Sequence, residues 1–127
     1  MPESEFKSTS GLTRILKAAG YSLAGLREAW RVEHAFRQEL IVALVLTPIA
    51  LLLPVTALEK LLMIGSFVLV LIVELLNSAI EAAIDHTSLN QHPLAKRAKD
   101  LGSAAVLLAL LLSAACWGVV IAGILGR

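Results

Sequence analysis

The sequence predicts an all-α integral membrane protein, built from an N-terminal amphipathic surface helix and three transmembrane helices. Apolar residues make up 57% of the 127 residues and charged residues only 17%, far from the balance of a soluble domain. The apolar residues are also bunched. Leu40 to Leu58 contains no ionisable side chain, and Leu101 to Leu125 contains none except the Cys116 thiol; about 20 such residues cross a bilayer. Between these runs, polar residues recur at helical spacing.

Residues 1–9 are polar without an apolar period and are expected to be mobile. Ser10 is placed to cap a helix over 10–27. There Leu12, Ile15, Leu16, Ala19, Leu23 and Leu26 form one face, and Arg14, Lys17, Tyr21 and Arg27 lie off it, as in a helix lying among lipid headgroups. Gly20 and Gly25 are the places where this helix could break. A second helix is expected over 28–54. Its polar start carries Glu28, Glu33, Arg37 and Glu39, and Pro48 within its span predicts a kink. Thr56 with Glu59 three residues later reads as a capping box, opening a second membrane helix over 57–85 after a tight hairpin. Residues 86–92 read as a loop, and Pro93 opens the third membrane helix, over 93–125. Nothing ahead of Leu40 resembles an h-region with a cleavage site, so the first span is expected to remain in the membrane.

Charge distribution orients these spans. Lys7, Arg14, Lys17, Arg27, Arg31 and Arg37 precede the first, Lys96, Arg97 and Lys99 lie between the second and third, and only Lys60 and Arg127 fall on the other side. The positive-inside rule then puts the N-terminus and the loop in the cytoplasm and the C-terminus outside. A net charge of +1 argues against a nucleic-acid binder, which presents a concentrated basic face. Cys116, the single cysteine, excludes an intrachain disulfide and a cysteine zinc cluster and reads as an apolar filler. Trp30 and Trp117 read as interfacial anchors. His34, His86 and His92 have no metal-site spacing.

The chemistry is written in the second span, where Glu74, Asn77, Glu81 and Asp85 follow at steps of three, four and four residues on one helical stripe. A carboxylate inside a membrane costs about 2.5 to 3.5 kcal/mol on insertion scales, so such residues face a protein interior or a wet cavity and carry function. Glu74 and Glu81 stand about 10 Å apart along the helix axis, too far to share one ion. On residues alone, three readings remain open: an acidic catalytic site, a polar seam between helices, and a proton or cation channel or transporter subunit. The last is disfavoured by polarity gathered at one end, since Leu61 to Val73 holds only Ser66.

Glu74-Leu-Leu-Asn77-Ser78-Ala79-Ile80-Glu81-Ala-Ala-Ile-Asp85 resembles the signature of the prokaryotic diacylglycerol kinases. Gly11-Leu-Thr-Arg14-Ile-Leu-Lys17-Ala-Ala-Gly20-Tyr21-Ser22, Gly25-Leu-Arg27, Ala29-Trp30, Glu33, Ala35-Phe36-Arg37-Gln38-Glu39 and Arg97-Ala98-Lys99-Asp100-Leu-Gly102-Ser103 resemble that family in the same order. The resemblance spans roughly residues 10 to 120. It implies ATP-dependent phosphorylation of diacylglycerol to phosphatidic acid at the inner membrane, with Mg²⁺, by a homotrimer with composite active sites.

Carried over by position, the resemblance makes Glu74 the catalytic base. Glu33 and Glu81 become the metal ligands, and with Arg14, Tyr21, Asn77, His92, Lys99 and Asp100 they form the ATP site. Arg14, Glu74 and Ser103 become the lipid site. Each has a plainer alternative: Glu33 pairing with Arg37, Arg97 and Lys99 as positive-inside anchors, Arg14 and Lys17 as contacts to anionic lipid. His92-Pro93-Leu94-Ala95-Lys96 is closer to the related undecaprenol kinases, which keeps undecaprenol as an alternative substrate. Neither the kinase glycine loop nor the P-loop motif is present.

Overall fold

The computed structural model describes residues 10–87 and 92–127, so the mobile segment expected over 1–9 and most of the loop expected over 86–92 lie outside the described residues. The described chain is all-helical, with α1 (Gly11–Val32), α2 (His34–Leu52), α3 (Ala57–Thr87) and α4 (Pro93–Leu125). It forms two compact units, divided between Glu33 and His34.

The first unit is α1. Ser10 caps it as expected, accepting from the Thr13 backbone N–H at 3.3 Å, and Leu12, Ile15, Leu16, Leu23 and Leu26 are exposed along it. The helix continues through Gly20 and Gly25 to Val32, so the expected boundary at 27/28 moves to Glu33. A helical glycine costs only about 1 kcal/mol relative to alanine, which neighbouring good helix formers offset. Glu33 leaves the helix with φ −104° and ψ 105° while its N–H still bonds to the Ala29 carbonyl. Nothing in the local sequence explains why the break falls there.

The second unit holds three helices long and apolar enough to cross a membrane. α2 has 19 residues, α3 31 and α4 33. At 1.5 Å per residue, α3 and α4 run about 46 and 50 Å, well beyond a hydrocarbon core of about 30 Å. Their ends must stand outside it. α2 passes through Pro48 without ending, and the Thr47 hydroxyl donates to the Ala43 carbonyl at 2.6 Å.

The turn after α2 is closed by several independent bonds. Thr56 N–H donates to Glu59 Oε1 at 3.0 Å and Glu59 N–H to Thr56 Oγ1 at 3.1 Å, the reciprocal pair of a capping box. Lys60 Nζ donates to the Leu51 carbonyl at 2.7 Å, and Arg127 Nη1, from the end of the chain, to that of Pro54 at 2.8 Å.

α3 packs against both α2 and α4. Most of the buried residues on α2 and α4 are small and several step by seven: Ala43 and Ala50 after Phe36 on α2, and Ala95, Gly102 and Ala109 on α4. Lipid tails are as apolar as leucine, so spans associate through close backbone approach rather than through escape from water. Near the Pro54 turn, Ala50, Met63 and Val120 form a core with Leu53, Val55, Ile64, Trp117 and Ile124 around it. Trp117, read from the sequence as an interfacial anchor, packs against α3. Its ring meets Phe67 edge-on at 5.7 Å and its N–H donates to the Met63 carbonyl at 3.0 Å, which satisfies the indole inside the helix pair. Deeper along α3, Ser66 Oγ and Ser113 Oγ share a buried hydrogen bond of 3.0 Å.

Candidate active site

α3 carries one continuous inward stripe, Met63, Ser66, Val70 and Glu74. Its spacing of three, four and four residues keeps the stripe aimed at the same neighbours. Extended, it passes through Asn77 and Glu81. Glu74 is buried, only 6% exposed, and Asn77 and Glu81 are half-buried. The Asn77 Nδ2 donates to Glu81 Oε1 at 3.3 Å, so the amide holds the carboxylate one turn further on.

Two neighbours of this stripe carry no sequence-level assignment. Glu39, half-buried on α2, meets Glu74 carboxyl to carboxyl. Its signals in the sequence are a charge directly ahead of the long apolar run and a place in the block from Ala35 to Glu39. Gly102 is buried on α4, and a Cβ there would fall onto Asn77 Oδ1. Its signal is the small-residue repeat it shares with Ala95 and Ala109. Among the described residues, Glu39 Oε2 and Asn77 Oδ1 are the buried side-chain oxygens and nitrogens without a hydrogen-bond partner.

Toward the ends of α3 and α4, Lys99 Nζ meets Asp85 Oδ1 at 2.8 Å and Lys96 Nζ meets Asp100 Oδ2 at 2.6 Å. His92 is the N-cap of α4, its Nδ1 accepting from Leu94 N–H at 3.1 Å. An open depression beside this end is lined by Pro93, Lys96, Arg97, Asp100 and Leu101. Ser103 is exposed one residue beyond Gly102.

Glu39, Glu74, Asn77, Glu81 and Gly102 thus come together in the second unit, with the Asp85–Lys99 pair beyond them. Arg14 and Tyr21 stand on α1 and Glu33 at its C-terminal end, in the first unit. Glu33 lies in extended backbone, and Arg37 meets His34 Nδ1 at 2.7 Å. Among the described residues no group of three or more His, Cys, Asp or Glu side chains gathers around a point fit for an ion.

The sequence pattern of the family described as "Prokaryotic diacylglycerol kinase" matches residues 20–121. The chain belongs to the prokaryotic diacylglycerol kinase family. It is 53% identical to a diacylglycerol kinase of Pseudomonas aeruginosa over 123 residues, covering 97% of this chain and all of the relative. It is also 53% identical to one of Escherichia coli strain K12 over 110 residues, 87% of this chain and 90% of the relative. A Haemophilus influenzae diacylglycerol kinase is 44% identical over 110 residues, 87% of this chain and 93% of the relative. With its three candidate spans, this member of the family is a multi-pass membrane protein.

Proposed function

We propose that this chain transfers the γ-phosphate of ATP directly to the free hydroxyl of diacylglycerol, giving phosphatidic acid at the cytoplasmic surface of the inner membrane. Family membership makes it a diacylglycerol kinase, a lipid kinase. The observation that carries the mechanism is a buried Glu74 one turn from the Asn77–Glu81 pair, at the end of the bundle where polar groups collect.

Glu74 is the base. The lipid hydroxyl oxygen forms a bond to the γ-phosphorus, the bond from phosphorus to the β-γ bridging oxygen breaks, and the hydroxyl proton passes to a Glu74 carboxylate oxygen. A carboxylate suits the role, because a positioned side chain that takes the proton as the oxygen attacks lowers the barrier to transfer. Its depth matches a hydroxyl presented from the membrane. Lys99 and Arg14 offset triphosphate charge, with Tyr21, Glu33, Asn77, Glu81, His92 and Asp100 completing the nucleotide site; Ser103 joins Arg14 and Glu74 on the lipid side.

Glu33 and Glu81 are the residues that would hold Mg²⁺. The donor chemistry fits, because Mg²⁺ takes one or two carboxylates and fills its remaining positions with water and substrate phosphates, and Glu81 is half-buried with one oxygen steadied by Asn77. When bound, the ion neutralises charge on the transferring group.

Orientation follows the basic residues. Lys60 and Arg127 bind carbonyls at the Pro54 turn, whereas Lys96 and Lys99 stand at the opposite end of the helices, which supports a cytoplasmic active site. A homotrimer with shared sites is supported by the stripe itself. Asn77 and Glu81 are half-buried in one chain, and polar groups at membrane depth call for partner helices to cover them.

The test is phosphate transfer from labelled MgATP by purified protein in mixed micelles, with diacylglycerol and undecaprenol offered in parallel. Transfer to diacylglycerol supports the proposal. Preferential transfer to undecaprenol overturns the substrate and keeps the mechanism, and no transfer to either by folded protein overturns both.

A further inference from the structure

Gly102 is buried on α4 where that helix crosses α3, and what occupies the space beside its Cα is the Asn77 side chain. A Cβ built at Gly102 would fall onto Asn77 Oδ1 and stand 3.2 Å from its Cγ, with no backbone atom among its nearest contacts. Its three nearest contacts all belong to one flexible side chain. That chain is also the donor to Glu81 Oε1, at 3.3 Å. Its other end, Oδ1, is buried without a hydrogen-bond partner, an arrangement that costs free energy and persists only because α4 leaves a slot of that shape.

We propose that Gly102 is a positioning residue for the phosphoryl transfer: its missing side chain is the slot that seats Asn77, and through Asn77 it sets where the Glu81 carboxylate is held. The inference rests on the assignment of Glu81 to the metal–nucleotide. In a merely close-packed crossing, an added methyl group would push the helices apart and stability would fall. Here the methyl group displaces the Asn77 amide instead, so the helices keep their approach and Glu81 loses the bond that orients it. Groups that orient a metal ligand from behind are worth about 10- to 100-fold in metal affinity.

The test uses full-length protein in detergent, comparing the wild type, Gly102→Ala, Asn77→Ala and the double variant. Mn²⁺ binding in the presence of a non-hydrolysable ATP analogue, without lipid, is followed by electron paramagnetic resonance, beside KM for MgATP, KM for diacylglycerol, kcat and thermal unfolding. Gly102→Ala is expected to weaken Mn²⁺ binding and raise KM for MgATP by about 10-fold, with the lipid KM and the unfolding midpoint nearly unchanged. The double variant is expected to be no worse than Asn77→Ala alone, because the added methyl group then has nothing to displace. Multiplied effects, unchanged Mn²⁺ binding in Gly102→Ala, or a loss of midpoint that accounts for the kinetic change would each overturn the inference. Glu81→Gln in the same titration separates the two levels. If it leaves Mn²⁺ binding intact, the metal assignment itself fails and takes the inference with it; if it weakens binding while the double variant shows multiplied effects, only the role of Gly102 fails.

Discussion

At the Pro54 end of the bundle, Thr56 and Glu59 cap each other, Lys60 and Arg127 close on backbone carbonyls, and Met63 is fully buried among apolar neighbours. At the Glu74–Asp85 end, two acidic side chains meet, two buried oxygens have no partner, and cations reach carboxylates near the helix ends. The same three helices build both. One end is consistent at every level, from turn chemistry to packing. The other breaks local rules in several places at once, and such conflicts mark functional sites, because stability elsewhere in the fold offsets them.

Substitutions at the two ends should therefore separate activity from stability. The largest effect is expected from Glu74→Gln, which keeps shape and removes the base: kcat should fall by about 10² to 10⁴-fold with MgATP affinity spared. An equal loss of nucleotide binding in Glu74→Gln and Glu81→Gln would remove the division of labour between them. Met63→Ala should do the reverse, lowering stability in detergent or bilayer unfolding assays by about 2 kcal/mol. That is the low end for core truncation, because lipid is as apolar as the protein interior and only packing is lost. Activity per folded molecule should hold, and a kcat loss beyond the folded fraction would show that the two ends are coupled.

Thr56→Ala removes half of the capping box and should cost about 1 kcal/mol in the same unfolding assay, without altering either KM. The smallest change in stability is expected from Asp85→Asn. Its partner Lys99 is partly exposed, so the pair contributes only about 0.5 kcal/mol. Freed from Asp85, Lys99 should still bind phosphate but in a poorer position, raising KM for ATP a few-fold. An unchanged KM would reduce the pair to a fastening between α3 and α4.

The polar end also shows where sequence reasoning stops. Glu74, Asn77 and Glu81 are legible because a carboxylate inside an apolar run is costly enough to need a reason, and helical period alone puts them on one stripe. Glu39 was legible as a charge but not as the neighbour of Glu74, since nothing in a single sequence aligns the start of one span with the middle of the next. His92 and Lys99 gained partners, Leu94 N–H and Asp85, that spacing did not indicate.

By itself the sequence determined the helical class, the three spans and the two caps at Ser10 and Thr56, because bilayer thickness, helical period and capping act over a few residues at a time and are written locally. It also determined the acidic stripe. Only the tertiary structure decided that Trp117 turns inward to the Met63 carbonyl and that Gly102 rather than any polar residue seats Asn77. These depend on which faces meet when helices pack at close range, and that register is set by the summed fit of many small side chains rather than by any residue read alone.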